Sequence, residues 1–67
     1  MTFDAVVVSF DAARGDGTLR DDGGREFYFH CVTIVDGSRT IDAGARVRAR
    51  RRVGLRGHDE ATDVVKV

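Results

Sequence analysis

Glycine divides this sequence into segments that are short for helices. The chain contains eight glycines and no proline, and the glycines stand at positions 15, 17, 23, 24, 37, 44, 54 and 57. Glycine marks turns because it adopts backbone angles that other residues avoid, and short segments between such turns suit strands better than helices. The spacing therefore predicts an all-β fold.

Five segments are candidate strands: residues 3–10 (FDAVVVSF), 17–21 (GTLRD), 26–31 (EFYFHC), 46–53 (RVRARRRV) and 61–67 (ATDVVKV). Asp22-Gly23-Gly24 predicts a hairpin between the second and third, because tight two-residue turns need a positive φ that glycine adopts freely. The longest connection, residues 32–45, follows the third strand, and we expect Ile34 and Ile41 to hold it against one end of the fold. Five short strands with this crossing predict a small Greek-key barrel.

Side-chain alternation indicates which residues share a face of each strand. In the third segment, Phe27, Phe29 and Cys31 share one face of a strand, while Tyr28 and His30 share the other. In the fourth, an arginine ladder (Arg46, Arg48, Arg50 and Arg52) alternates with Val47, Ala49, Arg51 and Val53, the period of two expected of a strand with one wet face. Arg51 interrupts the inner face, which predicts a bulge or the exit of the strand from the core at that point.

Length and composition restrict the class of protein. A chain of 67 residues predicts one domain, residues 1–67, near the lower size at which a hydrophobic core alone holds a fold. One cysteine excludes a disulfide within the chain, and no apolar run reaches the roughly 18 residues of a membrane span. We therefore expect a cytoplasmic protein with no membrane partner.

The net charge is zero, but it is unevenly distributed. Residues 1–33 carry three arginines against six acids, a charge of −3, and residues 34–67 carry eight Lys and Arg against five acids, a charge of +3. A neutral total argues against tight non-specific binding to phosphate backbones. For the arginine ladder we favour a solvated face partly paired with Asp59, Glu60 or Asp63 on the next strand, and an accessory phosphate site is the alternative.

Candidate catalytic and metal sites are not evident. The sequence shows no nucleophile with an adjacent base, no paired carboxylates in a plausible cleft and no phosphate-binding glycine loop. His30, Cys31 and His58 lack the ligand spacing of a zinc site, and we expect Cys31 to be a buried or half-buried apolar residue. The sequence predicts neither an enzyme, a small-molecule substrate nor a cofactor.

Matches to one known family of domains extend along the whole chain. The matching residues are VVVSFD at 6–11, RGDGTL at 14–19, EFYFHC at 26–31, Ile34, Ala43-Gly44, Arg56-Gly57 and Val64-Val65. In their order and spacing these residues resemble a cold-shock domain. The resemblance implies a five-stranded antiparallel Greek-key barrel of the oligonucleotide/oligosaccharide-binding (OB) type. In that family the first three strands expose two ribonucleoprotein motifs, whose aromatic side chains stack on single-stranded bases.

The resemblance also shows what this chain lacks. Phe10, Tyr28 and His30 match aromatic or histidine positions of the family's binding face, whereas non-aromatic residues stand at other such positions: Ser9, Asp16, Thr18 and Cys31. Because stacking contributes roughly 1–3 kcal/mol per base, these losses predict weak binding. We expect the Asp16 side chain to face water and to repel phosphate.

Two functions follow from this comparison. The first is weak binding of single-stranded RNA or DNA by stacking on Phe10, Tyr28 and His30, with phosphate contacts from Arg14 and Arg56. The alternative is a protein-interaction or self-associating module, such as a homodimer, that has lost nucleic-acid binding. Val6 and Val8 stand where the family has lysines, and exposed apolar surface often marks a protein interface.

Overall fold

The structure is a computed structural model that describes residues 2–54 and 59–67. It contains one turn of 3₁₀ helix, Cys31–Thr33, and the strands β1 (Thr2–Asp11), β2 (Asp16–Asp21), β3 (Glu26–His30), β4 (Arg46–Val53) and β5 (Asp59–Lys66). The strands close into a barrel in the order β1-β2-β3-β5-β4. The predicted all-β, five-stranded OB-type barrel is therefore confirmed.

Barrel closure depends on one short parallel contact. The pairs β1–β2, β2–β3, β1–β4 and β4–β5 are antiparallel, whereas β3 and β5 run parallel where Tyr28 lies opposite Glu60. The direction is the same because the chain crosses the barrel end after β3 and reaches β5 only through β4. This contact places the outer face of β3 next to the charged strand β5.

The predicted hairpin joins β2 to β3. The Asp21 N–H donates to the Arg25 carbonyl at 2.9 Å, and the Gly24 N–H donates to the Asp21 carbonyl at 3.0 Å. Three residues lie between Asp21 and Arg25, one more than in the tightest hairpins, and Gly24 supplies the positive φ of +85°. Such a three-residue loop needs a left-handed residue at its end, which explains the glycine.

The core is apolar and continuous through the barrel. Its largest fully buried side chains are Val7, Leu19, Phe29, Val47 and Val64. The connection after β3 is held at the barrel end as predicted, because Ile34 and Ile41 are only 3% and 6% exposed. A β-bridge between Ile34 and Val64 fixes the start of that connection.

The second half of β4 leaves the core, as the interruption at Arg51 predicted. Val47 and Ala49 are fully buried, but Val53 is 72% exposed, which agrees with an exit of the strand from the core at Arg51. The pairing of β1 with β4 ends at Arg50, and beyond it the strand that pairs with β4 in the described chain is β5.

Candidate nucleic-acid interface

Strand β3 presents its side chains as the sequence predicted. Phe27 and Phe29 are buried at 3% and 1% exposure, whereas Tyr28 is 42% exposed and His30 is also exposed. The alternation results from the extended backbone, which turns successive side chains to opposite faces. Tyr28 and His30 therefore stand on the outer face of the barrel, two residues apart on one strand.

Phe10 lies near the end of β1 and is only partly available to a ligand. Its ring packs against the core and stacks on Phe29, with ring centroids 5.9 Å apart and planes inclined by 19°. Phe10 thus has a structural contact on one side and a partly exposed side toward solvent. These contacts restrict the rotamers open to the ring, which lowers the side-chain entropy that stacking on a base would cost.

A groove of about 310 Å³ lies beside Phe10 and brings together Phe10, Arg14 and Tyr28. Gly17 forms part of its floor and is itself buried. A Cβ at Gly17 would collide with the Ser9 carbonyl oxygen and the Phe29 ring. Glycine at this position therefore lets β2 approach the core closely and leaves space above the backbone.

The turn between β1 and β2 places Arg14 at the edge of this groove. The Asp11 carboxylate accepts hydrogen bonds from the backbone N–H groups of Ala13 and Arg14, at 3.0 and 3.1 Å. An aspartate that binds the backbone two and three residues ahead stabilises a turn locally. Asp11 therefore orients the turn, and the Arg14 side chain remains 73% exposed.

Asp16 does not face water, so that prediction is wrong. Its side chain is only 13% exposed and lies 3.1 Å from Arg14 Nη2. The same oxygen, Oδ2, accepts a hydrogen bond of 3.0 Å from the Tyr28 hydroxyl. The acid is drawn into the groove because two donors converge on it from the turn and from β3.

The contact with Asp16 changes the chemistry of Tyr28. The hydrogen bond that Tyr28 donates to Asp16, with smaller contributions from desolvation and the negative charge of Asp16, raises the Tyr28 pKa above its ordinary value. A phenol that donates to a carboxylate is stabilised in its neutral form. Tyr28 is therefore a protonated donor at neutral pH, with its ring face still open to solvent.

Sequence reasoning missed the Asp16–Tyr28 contact, although the hairpin contains a signal for it. In the β2–β3 register Thr18 lies opposite Tyr28 and Asp16 lies opposite His30. Asp16 and Tyr28 are therefore diagonal neighbours, and a tyrosine is long enough to reach a diagonal position. The register follows once the hairpin at residues 22–24 is assigned.

The other predicted site residues are less closely assembled. His30 stands beyond the groove, and its Nδ1 accepts a hydrogen bond of 3.4 Å from the Val32 N–H, so the ring also caps the 3₁₀ turn. Arg56, predicted as a phosphate contact, lies outside the described residues, as does His58. The structure therefore brings together three of the five predicted residues and places His30 on the adjoining surface.

The arginine ladder on β4 is largely paired with acids. The ion pairs are Arg48 with Asp4 at 3.0 Å, Arg50 with Asp63 at 3.7 Å and Arg52 with Glu60 at 2.8 Å, and Arg51 pairs with Asp59 at 3.1 Å. The predicted pairing with β5 is confirmed, and Asp4 on β1 adds a partner that was not predicted. The high arginine content of β4 therefore produces much less free positive charge than the sequence implies.

Other kinds of site were sought over residues 2–54 and 59–67. Within these ranges no three His, Cys, Asp or Glu side chains are grouped in a way that could hold a metal ion. Cys31 is half-buried, as predicted. None of the described helical structure is long and apolar enough to cross a membrane.

Comparison with known proteins identifies the fold. No family model and no curated protein matches the sequence. A solved structure of the Drosophila Unr cold-shock domains, CSD456, is similar over 100% of this chain, with 20% sequence identity and a TM-score of 0.82. This chain spans 27% of the length of that one. The chain therefore has the fold of a cold-shock domain.

Proposed function

We propose that this chain binds single-stranded RNA or DNA weakly, in the groove beside Phe10 and on the adjoining surface of β3. The proposal depends on one observation: Phe10, which packs against the core, lines the same groove as the exposed Tyr28 and Arg14. Bases stack on aromatic side chains with little dependence on sequence, and basic side chains beside them contact phosphates. The cold-shock fold supports the assignment, because this fold is used for nucleic-acid binding.

Weak binding follows from the same surface. Two aromatic rings and His30 offer few stacking positions, each worth roughly 1–3 kcal/mol. Asp16 and Thr18 occupy the groove wall where further rings would lie, and ion pairs hold Arg14 and much of the arginine ladder. We therefore expect dissociation constants between about micromolar and millimolar at low salt, with few phosphates neutralised.

The test is a fluorescence titration of labelled pyrimidine-rich heptamers, one of RNA and one of DNA, first at low and then at higher salt. Saturable binding that weakens with salt is expected, and Tyr28→Ala should weaken it further. Val35→Ala, a change at an exposed valine in the connection after β3, is the matched control and should leave affinity unchanged. The absence of salt-dependent binding in the micromolar to millimolar range would refute the proposal.

Self-association is the second candidate, and the outer face of β1 favours it. Val8 is 38% exposed, Val6 is half-buried, and the β1–β2 register shifts between Val7 and Ser9. Apolar side chains on an outer strand face are suited to a second protein surface. Sedimentation of the wild type and of Val8→Lys tests this function, because a dimer through β1 should dissociate in the variant.

A further inference from the structure

The Arg14–Asp16–Tyr28 cluster has the geometry of an occupied anion site. Arg14 Nη2 and the Tyr28 hydroxyl approach a single oxygen, Asp16 Oδ2, at 3.1 and 3.0 Å. The carboxylate is the least exposed member of the cluster, with 13% of its side chain accessible against 73% for Arg14. The two donors are thus turned inward to a negative charge of the same chain.

We infer that Arg14 and Tyr28 form a two-donor site for a phosphate, and that Asp16 fills this site until a nucleic acid displaces it. The inference rests on the proposed function, and it identifies Asp16 as the residue that controls how strongly the chain binds nucleic acid. A guanidinium and a hydroxyl are common donors to phosphate oxygens in nucleic-acid complexes. A carboxylate uses the same charge-assisted hydrogen bonds, which makes Asp16 a competitor with the right chemistry.

Displacement is feasible because both donors are accessible from solvent. The Arg14 side chain is 73% exposed and Tyr28 is 42% exposed, so a phosphate can reach them from outside the barrel. Asp16 nevertheless acts on a phosphate in two ways, because it occupies both donors and its charge repels the incoming anion. Loss of the Asp16 charge should therefore tighten binding more than the loss of an acid elsewhere.

The chain offers a matched control for this comparison. Asp4 also pairs with an arginine, Arg48, at 3.0 Å, and is 51% exposed. It lies on β1 six residues before Phe10, roughly 20 Å along an extended strand. Asp4→Asn removes the same charge and the same kind of ion pair as Asp16→Asn, but away from the groove.

The experiment measures binding of a pyrimidine-rich heptamer to the wild type, Asp16→Asn, Asp4→Asn, Arg14→Ala and the double variant Arg14→Ala with Asp16→Asn. Asp16→Asn should tighten binding roughly three- to tenfold. The slope of the logarithm of the binding constant against the logarithm of salt concentration should steepen by about 0.7, the value for one additional phosphate contact on a single strand. Asp4→Asn should change affinity less than twofold. In the Arg14→Ala background most of the gain from Asp16→Asn should disappear.

The outcomes distinguish failure of the Asp16 inference from failure of the proposed nucleic-acid binding. Equal effects of Asp16→Asn and Asp4→Asn, or an undiminished gain without Arg14, would overturn the inference while leaving nucleic-acid binding intact. No binding by any variant would reject both. Because the chain has one tyrosine, an absorbance titration also tests the contact without any ligand: the pKa of Tyr28 should fall toward its ordinary value in Asp16→Asn, and an unchanged pKa would show that the contact is absent.

Discussion

The arginine ladder on β4 and the groove beside Phe10 both contain arginine, but their acids stand in different places. Two acids of the ladder lie on the neighbouring strand β5, where Arg50 meets Asp63 and Arg52 meets Glu60. The acid of the groove is inside the candidate binding surface, between Arg14 and Tyr28. On β4 the pairing therefore stabilises a sheet, whereas in the groove it occupies the donors that a ligand would use.

The difference shows that charge in a sequence and charge available to a ligand are separate quantities. Residues 46–56 contain six arginines and no acid, yet the folded ladder presents a surface of alternating sign. Among the described residues the groove has one arginine, Arg14, but it also has rings on which bases can stack. We therefore expect substitutions in the groove to dominate binding and those in the ladder to affect mainly local stability.

Restoring aromatic side chains to the groove should have the largest effect. Asp16 and Thr18 lie opposite His30 and Tyr28, so Asp16→Phe with Thr18→Phe would place two new rings beside them. If each ring contributes roughly 1–3 kcal/mol, affinity should increase at least about 30-fold in the heptamer titration. Arg48→Phe with Arg50→Phe adds the same rings to the ladder, and a similar gain there would show that the groove has no special role.

Removing the Tyr28 ring should have the next largest effect. Tyr28→Ala removes an exposed aromatic ring of the site and should weaken binding by roughly 1–3 kcal/mol, or about 5- to 150-fold. Tyr28→Phe keeps the ring and removes only the hydroxyl that donates to Asp16, so it should retain most of the affinity. If Tyr28→Phe were as damaging as Tyr28→Ala, the hydroxyl rather than stacking would account for binding.

Removing a ladder charge should have a smaller effect. Arg52→Gln breaks the ion pair between Arg52, whose side chain is 59% exposed, and Glu60, whose side chain is 22% exposed. Ion pairs at the surface contribute about 0–1 kcal/mol. We expect the free energy of urea unfolding to fall by no more than that, and heptamer affinity to stay within about twofold. A larger loss of affinity would identify the ladder as an accessory phosphate site and would remove the contrast with the groove.

The fold was largely predictable because local signals agree with the global arrangement. Glycine spacing indicated five strands. Alternation separated Phe27 and Phe29 from Tyr28, and the family resemblance correctly placed Tyr28 outside. The exposure of Val53 was indicated by Arg51, which interrupts the inner face, because β4 leaves the core where β1 stops supporting it. That limit is set by the alignment of two strands more than forty residues apart in the chain.

The site was predictable only in part. The positions of Phe10, Arg14 and Tyr28 followed from the family resemblance, but the position of Asp16 did not, because a turn residue was assumed to be solvated. Its location depends on a diagonal contact across β2 and β3 and on an arginine two residues earlier. A charged residue in a glycine turn should therefore be compared with its diagonal neighbours before it is assigned to solvent.

The smallest predicted effect concerns the ion pair between Lys66 and Asp36. Like the pairs of the arginine ladder, it lies outside the groove. The backbone N–H of Ser38 donates to Asp36 at 2.8 Å, and Lys66 Nζ lies 3.0 Å from the same carboxylate. These contacts lower the Asp36 pKa from 3.8 to about 2, with the bond from Ser38 as the main cause. Because the pKa is lower in the folded state, this contribution to stability is present above about pH 4 and disappears as pH falls toward 2.

Thermal unfolding of Asp36→Asn should therefore match the wild type near pH 2 and show a slightly lower midpoint at pH 5. Asp22→Asn, in the hairpin turn, is the control and should not reproduce this change. An Asp36→Asn deficit of the same size at pH 2 and at pH 5 would show that ionisation of this carboxylate does not contribute, and that the amide weakens the connection in another way.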